Sequence, residues 1–256
     1  MRLSAVVRLL PVAVLPVVAS TLAACAAFLP VPLLAQAPPQ MPVLTAPEIV
    51  TQMTHRNQLR SARLNHYSSV RHYRVEYQGM AHMIAALEVE ATYDARTGKS
   101  FRILSESGSH ALCEKVLKRA IDSEREATRD QSSAALTPAN YAFTLLGSEP
   151  IEGRPAYILQ VEPVSPSKFL YRGRIWVDAA DFAVVKIDAS PAKNPSFWIS
   201  KTLILQSYAR AGEFWLPAHN RSETHVRIGG KAVFTIDYGS YRFEPATALA
   251  AGVAVR

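Results

Sequence analysis

Few residues in this chain have the types and spacing that could do chemistry, and the clearest of them is Cys25. The stretch Leu22-Ala23-Ala24-Cys25 matches every position of the bacterial lipobox, the motif at which a cysteine is lipidated and the preceding residues are removed. One other cysteine, Cys113, occurs in the chain, so no disulfide framework is expected. Cys113 falls on the apolar side of a predicted helix and is interpreted as a small buried residue.

Catalytic and metal-binding motifs are absent from the sequence. It contains no Gly-x-Ser-x-Gly, His-Glu-x-x-His, Cys-x-x-Cys or P-loop pattern, and its seven histidines lack the tight spacing of metal ligands. Glu88 and Glu90 share one side of a predicted strand and are interpreted as solvated charges rather than an acid–base pair. We therefore expect no catalytic residue, no metal and no cofactor. Four aromatic residues near turns either clamp strand ends or rim a cavity mouth: Trp176, Phe197, Trp198 and Trp215.

The N-terminal segment has the composition of an export signal rather than of a folded domain. A short basic head, Met1 to Arg8, precedes an uncharged apolar run from Leu9 to Leu34, and the small-residue end Ala35-Gln36-Ala37 follows. We therefore predict that residues 1–37 direct the chain out of the cytoplasm and that a linker over residues 38–44 follows.

Three outcomes of processing remain open. Cleavage after Ala37 fits the Ala-x-Ala rule but leaves Pro38 next to the cut, which signal peptidases tolerate poorly. Cleavage before Cys25 fits the lipobox but retains an apolar tether up to Leu34. A retained transmembrane helix is disfavoured because prolines break the run repeatedly, at Pro11, Pro16, Pro30 and Pro32.

The charge pattern argues against a nucleic-acid partner. The chain has 28 basic and 21 acidic residues, a net charge of +7, and its lysines and arginines are scattered rather than clustered. A nucleic-acid-binding surface needs a basic cluster or stripe. We therefore interpret the basic residues as an ordinary solvated surface.

Two helices are predicted, one on either side of a three-strand meander. Thr45-Ala46-Pro47-Glu48 is a capping box with proline in the first turn, so a helix is predicted from about Pro47 to Leu64. A second helix is predicted from Ser109 to about Arg129, because apolar residues recur there at helical spacing.

Ten stretches alternate apolar and polar residues with a period of two, which predicts β-strands. Short turns join most consecutive stretches, and strands joined in this way are antiparallel neighbours. The stretches are His66–Gln78, Met83–Asp94, Ser100–Ser107, Tyr141–Ser148, Arg154–Glu162, Phe169–Asp178, Phe182–Ala189, Ser200–Arg210, Glu213–Ile228 and Lys231–Phe243.

The predicted strands have one apolar and one polar side almost throughout. A sheet of about ten strands curls rather than staying flat. Its apolar face must then close on itself or be covered, and the sequence offers only the two helices as cover. The space that two helices leave could be filled either by large side chains or by a hydrophobic ligand.

Several strands carry a pattern that resembles a known family. Gly153-Arg154-Pro155-Ala156-Tyr157 is followed by Tyr171-Arg172-Gly173-Arg174-Ile175-Trp176-Val177-Asp178 and by Phe182-Ala183-Val184-Val185-Lys186-Ile187. With the order signal, helix, three strands, helix and seven strands, this run resembles the outer-membrane lipoprotein-sorting proteins. That group includes the periplasmic lipoprotein carrier, its outer-membrane receptor and a related sensor domain that regulates envelope stress. The resemblance extends over roughly Thr45 to Phe243.

The resemblance implies a mainly β fold with two or more helices (α+β), in which a curled, unclosed antiparallel β-barrel of about ten strands is lidded by helices. The domain would span residues 45–245 and be followed by a tail over residues 246–256. The implied function is binding of acyl chains of lipoproteins or phospholipids, for transport or sorting to the outer membrane, without catalysis. The implied location is the periplasm, with an outer-membrane anchor if Cys25 is lipidated. The implied partners are an inner-membrane export complex or an outer-membrane receptor, and a monomer is expected.

An acyl ligand would contact the apolar side of the sheet and the inner side of the second helix. Since a core and a cavity wall have the same composition, the alternative that these residues form an ordinary core remains open. The candidate lid residues are Leu112, Val116 and Ile121, and the candidate lining residues are Leu87, Val89, Tyr93, Phe101, Ile103, Tyr157, Leu159, Ile175, Val177, Val185, Ile187, Phe234, Ile236 and Tyr238.

Two other functions compete with lipid binding. One is an envelope sensor or scaffold that binds another protein through the same sheet. The other is an envelope hydrolase, which is disfavoured by the absence of a catalytic triad motif. A bound lipid would support lipid binding, and loss of signalling with no bound lipid would favour the sensor or scaffold. An esterase activity lost on changing one serine or histidine would support the hydrolase.

Overall fold

The computed structural model describes residues 42–129, 134–165, 167, 169–193, 199–227 and 229–243. These residues belong to the unit Met41–Arg256. The predicted export signal, Cys25 and the predicted tail over residues 246–256 lie outside the described residues. Of the helices that are described, none combines the length and the apolar character needed to cross a membrane.

The described part of the chain forms a single antiparallel sheet of ten strands, as the alternating pattern predicted. Across the sheet the strand order is β3-β2-β1-β10-β9-β8-β7-β6-β5-β4, so among the described strands β3 and β4 each have one neighbour and the sheet is unclosed. The predicted fold class, a curled antiparallel sheet with helices, is confirmed. The strands are β1 (His66–Gly79), β2 (His82–Asp94), β3 (Gly98–Gly108), β4 (Tyr141–Ile151), β5 (Arg154–Pro163), β6 (Tyr171–Asp178), β7 (Val184–Pro191), β8 (Ile199–Ala211), β9 (Phe214–Val226) and β10 (Gly230–Tyr238).

The pairing of the first strand with the last joins two meanders into one sheet. β1 pairs with β10 from Arg71 opposite Tyr238 to Gly79 opposite Gly230. Gly230 has a φ of 121°, and a Cβ atom there would lie 2.0 Å from the main-chain oxygen of Gln78. Glycine is therefore required where the two strands approach each other at this end.

The first helix, α1, spans Ala46–Arg63 and begins with the predicted capping box. The main-chain N–H and the hydroxyl of Thr45 both donate to the Glu48 carboxylate, at 2.7 and 2.6 Å. This arrangement satisfies groups that the helix start would otherwise leave unpaired. The helix buries a short apolar face made of Ile49, Val50 and Met53.

The second helix, α2, runs without a break through three segments, His110–Leu112, Cys113–Leu117 and Lys118–Arg129, and the middle segment is π-helical. Its buried residues Cys113, Leu117 and Ile121 face the sheet. The interpretation of Cys113 as a buried residue is confirmed, since its exposed fraction is 0%. The predicted bounds of both helices agree with the structure to within about two residues, the usual uncertainty of helix ends.

Both helices cover the same face of the sheet, but this face is not apolar throughout. A row across it, followed through paired residues from β1 to β5, is apolar at both ends and polar in the middle. In the middle, the Asn220 amide donates to the side-chain oxygen of Gln206 at 2.7 Å. The expected continuous apolar face is thus interrupted on β8 and β9. The row is Tyr73, Ile236, Asn220, Gln206, Ile187, Ile175 and Leu159.

A β-bulge changes the face on which one predicted lining residue lies. The register of β6 and β7 shifts between Trp176 and Val177, so Val177 pairs with Val184 while Trp176 pairs with Lys186. A bulge inserts an extra residue and breaks the period of two. Val185 consequently packs with Ala156 and Trp176 rather than with Ile187. Its predicted place on the helix-covered face is wrong for this reason.

Candidate functional site

Six of the predicted lining residues on β2, β3 and β10 pack directly against α2. The helix residues Leu112, Val116 and Ile121 lie in one cluster with these residues, which we call the α2 cluster. None of the three cavities described below is lined by a residue of α2. The sheet members of the cluster that the sequence predicted are Leu87, Val89, Phe101, Phe234, Ile236 and Tyr238.

Apart from Val185, the predicted lining residues on β5, β6 and β7 lie beneath α1. They form a second cluster, the α1 cluster, with Ile49, Val50 and Met53 of the helix. The predicted residues in it are Tyr157, Leu159, Ile175, Val177 and Ile187, and of these only Ile187 lines a cavity described below.

Two further predicted lining residues lie apart from both clusters. Tyr93 stacks on Tyr67 with ring centroids 5.3 Å apart, and Tyr67 meets Tyr241 edge-on. Ile103 lies on the edge strand β3, where 41% of its surface is exposed, and its neighbour Leu104 is 40% exposed. The structure therefore brings the predicted lining together as two packed clusters rather than as the wall of one large cavity.

Two adjoining cavities lie along α1. The outer cavity, of about 500 Å³, lies between α1 and the edge strand β4, and its lining includes Val50, Tyr141 and Phe143. The inner cavity, of about 490 Å³, lies between α1 and strands β6 to β9. Thr54 and Gln58 line both cavities, so the two adjoin at this point of the helix.

The walls of the inner cavity differ in polarity. The helix contributes four polar side chains, Thr54, Asn57, Gln58 and Arg60, together with Met53. Burial raises the pKa of Tyr208 to about 12, so this residue presents a neutral hydroxyl at physiological pH. The rest of the wall is mainly apolar and comprises Ala134, Ala135, Leu136, Thr137, Phe169, Tyr171, Phe182, Ala183, Val184, Ile187, Tyr208 and Trp215.

A third and smaller cavity, of about 270 Å³, shares Tyr208 and Trp215 with the inner one. Val185 and Lys186 of β7 line it. Strand β7 pairs with β8 over only four residue pairs, from Lys186 opposite Ser207 to Ala189 opposite Ile204. The third cavity lies beyond the Lys186 end of this pairing.

A buried ionic network ties α2 to the sheet. The Nη1 group of Arg71 on β1 donates to both carboxylate oxygens of Glu124 on α2, at 2.9 and 3.0 Å. Lys99 Nζ donates to the same carboxylate at 2.7 Å. Burial raises the pKa of Glu124, but Lys99 and Arg71 outweigh it and hold that pKa below its ordinary value. The Arg71 guanidinium also lies over the Tyr238 ring, 4.8 Å from its centroid.

A second network holds the turn between β6 and β7. Buried Asp178 accepts from Arg154 Nε at 2.6 Å and Nη2 at 2.9 Å, and from the main-chain N–H of Asp181 at 2.7 Å. Asp181 accepts from Trp215 Nε1 at 3.0 Å. Although burial raises the pKa of Asp178, the bonds from Arg154 and the main chain lower it below its ordinary value.

The structure does not bring metal-binding side chains together in the part of the chain that it describes. No group of three or more histidine, cysteine, aspartate or glutamate residues there could hold a metal ion. Trp215, which was expected either to clamp a strand end or to rim a cavity, lies at the start of β9 and lines two of the cavities. Phe197 and Trp198 lie outside the described residues.

Sequence reasoning missed most of the residues that line the cavities. Tyr171 and Tyr208 alternate with polar residues as any core residue would, and no local signal marks them as cavity walls. Arg60 and Thr54 fall on a helix that is mostly polar, so neither stands out in the sequence. Arg71 falls within the alternating stretch His66–Gln78, and no local signal marks it as buried, although only 1% of its surface is exposed.

Comparison with known proteins finds distant similarity only. A family model described as an uncharacterized protein matches residues 125–246, which is less than half of the chain. No curated protein matches the sequence. Among solved structures, a DUF1329 family protein from Desulfovibrio piger is 11% identical, with 80% of this chain and 95% of that chain covered and a TM-score of 0.43.

Two other solved structures belong to the same range of similarity. A LolA superfamily protein from Nitrosomonas europaea is 13% identical, with 80% of this chain and 97% of that chain covered and a TM-score of 0.37. A domain from Vibrio parahaemolyticus, provisionally named an outer-membrane lipoprotein-sorting protein, is 10% identical, with 78% of this chain and 93% of that chain covered and a TM-score of 0.42. At these values the likeness carries no inference about ligand or activity.

Proposed function

We propose that this protein binds the acyl chains of lipids or lipoproteins in the cell envelope and carries or sorts them without catalysis. The single observation that supports this most is the pair of adjoining cavities along α1. Each cavity falls within the usual size of small-molecule sites, about 300–1,000 Å³. Their lining is mainly apolar and aromatic, which suits an acyl chain.

The energetics of such a ligand are favourable. Each methylene buried from water contributes about 0.8 kcal/mol, so an acyl chain that fills either cavity gains several kcal/mol. Val50, Tyr141 and Phe143 offer apolar surface in the outer cavity, and Ile187 and Phe182 offer it in the inner one. We propose α1 as the lid of this site, whereas the predicted lid residues of α2 belong to the α2 cluster, whose residues line none of the three cavities.

The sequence motifs supply the proposed location. The predicted export signal over residues 1–37 would direct the domain to the periplasm, and lipidation of Cys25 would anchor it in the outer membrane. In the anchored form the protein would act as an acceptor of lipid or lipoprotein, and in the free form as a shuttle. An inner-membrane export complex or an outer-membrane receptor is the proposed partner.

The experiment that tests the proposal is native mass spectrometry of protein produced from the full sequence and purified without detergent. We expect an additional mass that matches a phospholipid, a fatty acid or an acylated peptide. Thr54→Phe should reduce this mass at least tenfold, because the new ring occupies the junction of the two cavities. The matched control is Gln52→Phe on the exposed side of α1, which should leave the bound mass unchanged. A protein without bound lipid that also takes up none when lipid is added would contradict the proposal.

One feature favours the alternative of a protein-binding scaffold. The edge strand β3 has a single neighbour among the described strands and exposes Ile103 and Leu104. An exposed edge of this kind can pair with a strand of another chain. A lipid-free protein whose co-purified partner is lost on Ile103→Lys would move the assignment to this function.

A further inference from the structure

Arg60 lies in the wall of the inner cavity and contacts no carboxylate of the described residues. Its Nη1 donates to the main-chain oxygen of Asp181 at 2.8 Å and its Nη2 to that of Phe182 at 3.4 Å. The Asp181 carboxylate is engaged elsewhere, by Trp215 Nε1 at 3.0 Å and Arg154 Nη2 at 3.2 Å. Because a guanidinium has five N–H donors, the two main-chain contacts leave donors for an anion.

The charge of Arg60 is incompletely compensated in the described structure. The side chain is partly buried, and this desolvation lowers the pKa of Arg60 although Asp181 and Asp178 raise it. Arg56 also lowers that pKa, so the region of α1 near the cavity carries a second positive charge. An anionic group in the cavity would offset the cost of burying the guanidinium.

A second polar group of the same wall lacks a partner. The Thr54 hydroxyl is buried and forms no hydrogen bond within the described chain, although it lies where the inner and outer cavities adjoin. A buried hydroxyl without a partner is unfavourable, so rotating it towards an oxygen of a ligand at this point would stabilise the site. The Thr54 hydroxyl and the remaining N–H groups of Arg60 thus belong to the helix side of the cavity, opposite the apolar side chains of the sheet.

The two cavities follow α1 from Pro47 in the outer one to Arg60 in the inner one. These residues are about 20 Å apart along the helix axis, which is close to the length of an extended long-chain fatty acid. We propose that the site binds an anionic amphiphile, with its carboxylate or phosphate head paired with Arg60 and its chain extending past Thr54 towards Phe143. This assignment rests on the proposed acyl-chain function and adds the chemistry of the head group.

The test compares two fluorescent ligands that share a chain and differ in the head, cis-parinaric acid and its methyl ester. Both are titrated into protein produced from the full sequence and purified without detergent. The acid should bind at least tenfold more tightly than the ester. Arg60→Gln should weaken binding of the acid by about ten- to hundredfold, as expected for loss of hydrogen bonds to a charged group, and leave the ester unchanged. Arg60→Lys should retain part of the preference for the acid, since it keeps the charge.

The matched control is Arg63→Gln, which removes an exposed arginine of the same helix that pairs with Glu213. This change should alter neither affinity. Equal binding of acid and ester by the unchanged protein would overturn the proposal while leaving acyl-chain binding intact. An equal loss of affinity for the acid and the ester in Arg60→Gln would also overturn the proposal, because Arg60 would then serve only to hold the turn at Asp181 and Phe182. If neither ligand binds, acyl-chain binding itself fails.

Competition separates the sources of the anion. Displacement of parinaric acid by oleate or by lysophosphatidate, with weaker displacement by zwitterionic lysophosphatidylcholine, would support an anionic amphiphile and show which head is preferred. Displacement by inorganic phosphate alone at comparable concentration would overturn the proposal in favour of a site for a free anion.

Discussion

Replacing Glu124 by glutamine should destabilise the fold by leaving a buried guanidinium without its counter-charge. Arg71 is 1% exposed, and the structure pairs it with the Glu124 carboxylate at 2.9 Å. Removing one partner of a buried ion pair costs about 3–5 kcal/mol. Since 23% of the Glu124 side chain is exposed and glutamine keeps one acceptor, we expect the lower end, about 3 kcal/mol.

Thermal and urea unfolding followed by circular dichroism measure this effect. For a domain of this size, 1 kcal/mol shifts the Tm by about 2–4 °C, so Glu124→Gln should lower the Tm by about 6–12 °C. Arg71→Met should cost about 2 kcal/mol, because Glu124 keeps Lys99 at 2.7 Å but the cation–π contact with Tyr238 is lost. The double variant should cost less than the sum of both by about 1–3 kcal/mol.

The ion pair between Arg71 and Glu124 also predicts that the stability of the fold depends on pH. The pKa of Glu124 is held below its ordinary value of 4.5 in the folded protein, so the carboxylate stabilises the fold above that pH. This contribution is lost as the pH falls through the folded pKa. The stability gap between the unchanged protein and Glu124→Gln should therefore be full at neutral pH and shrink below about pH 4.5. Additive single effects, or a gap that is constant with pH, would refute the reasoning.

Two further changes test how the sheet is held together. Gly230→Ala should lower the free energy of unfolding by at least about 2 kcal/mol, because the added Cβ would lie 2.0 Å from the Gln78 main-chain oxygen at a φ of 121°. Gly212→Ala is the control: the space around Gly212 is open, so this change should cost about 1 kcal/mol in the same urea titration. Asp178→Asn should lower the free energy of unfolding by about 2–4 kcal/mol at pH 7. The cost should be smaller in acid, because the pKa of Asp178 is lowered in the folded protein and the stabilisation by its carboxylate is lost as the pH falls through that pKa. Asp237→Asn, at an exposed carboxylate, should change the unfolding free energy by less than about 0.5 kcal/mol, and a similar cost for both aspartates would contradict the role given to Arg154.

Local signals account for the elements that could be predicted from the sequence. The capping box at Thr45 places the start of α1, and the period of two predicts all ten strands, because both patterns depend on residues close together in the chain. The bulge at Val185, opposite Trp176 and Val177, could not be predicted, since it depends on how β6 pairs with β7. One extra residue there moves Val185 to another cluster.

The candidate site could be predicted only in part, because cavities are the volume that packing leaves over. Leu159 and Ile187 have the same apolar character, yet one lies in filled core and the other lines the inner cavity. The position of Arg60 next to this cavity depends on the contact of α1 with the turn at Asp181, more than a hundred residues later in the chain. No pattern within α1 contains that information.

The sequence by itself determined the two helices and the ten strands, because each is encoded in the composition and period of a short segment. The export signal over residues 1–37 is predicted from the same kind of local pattern. Only the tertiary structure decided that β1 pairs with β10, that Arg71 is buried against Glu124, and that the two adjoining cavities lie along α1. These features arise from contacts between distant segments, whose geometry is set by the packing of the whole domain.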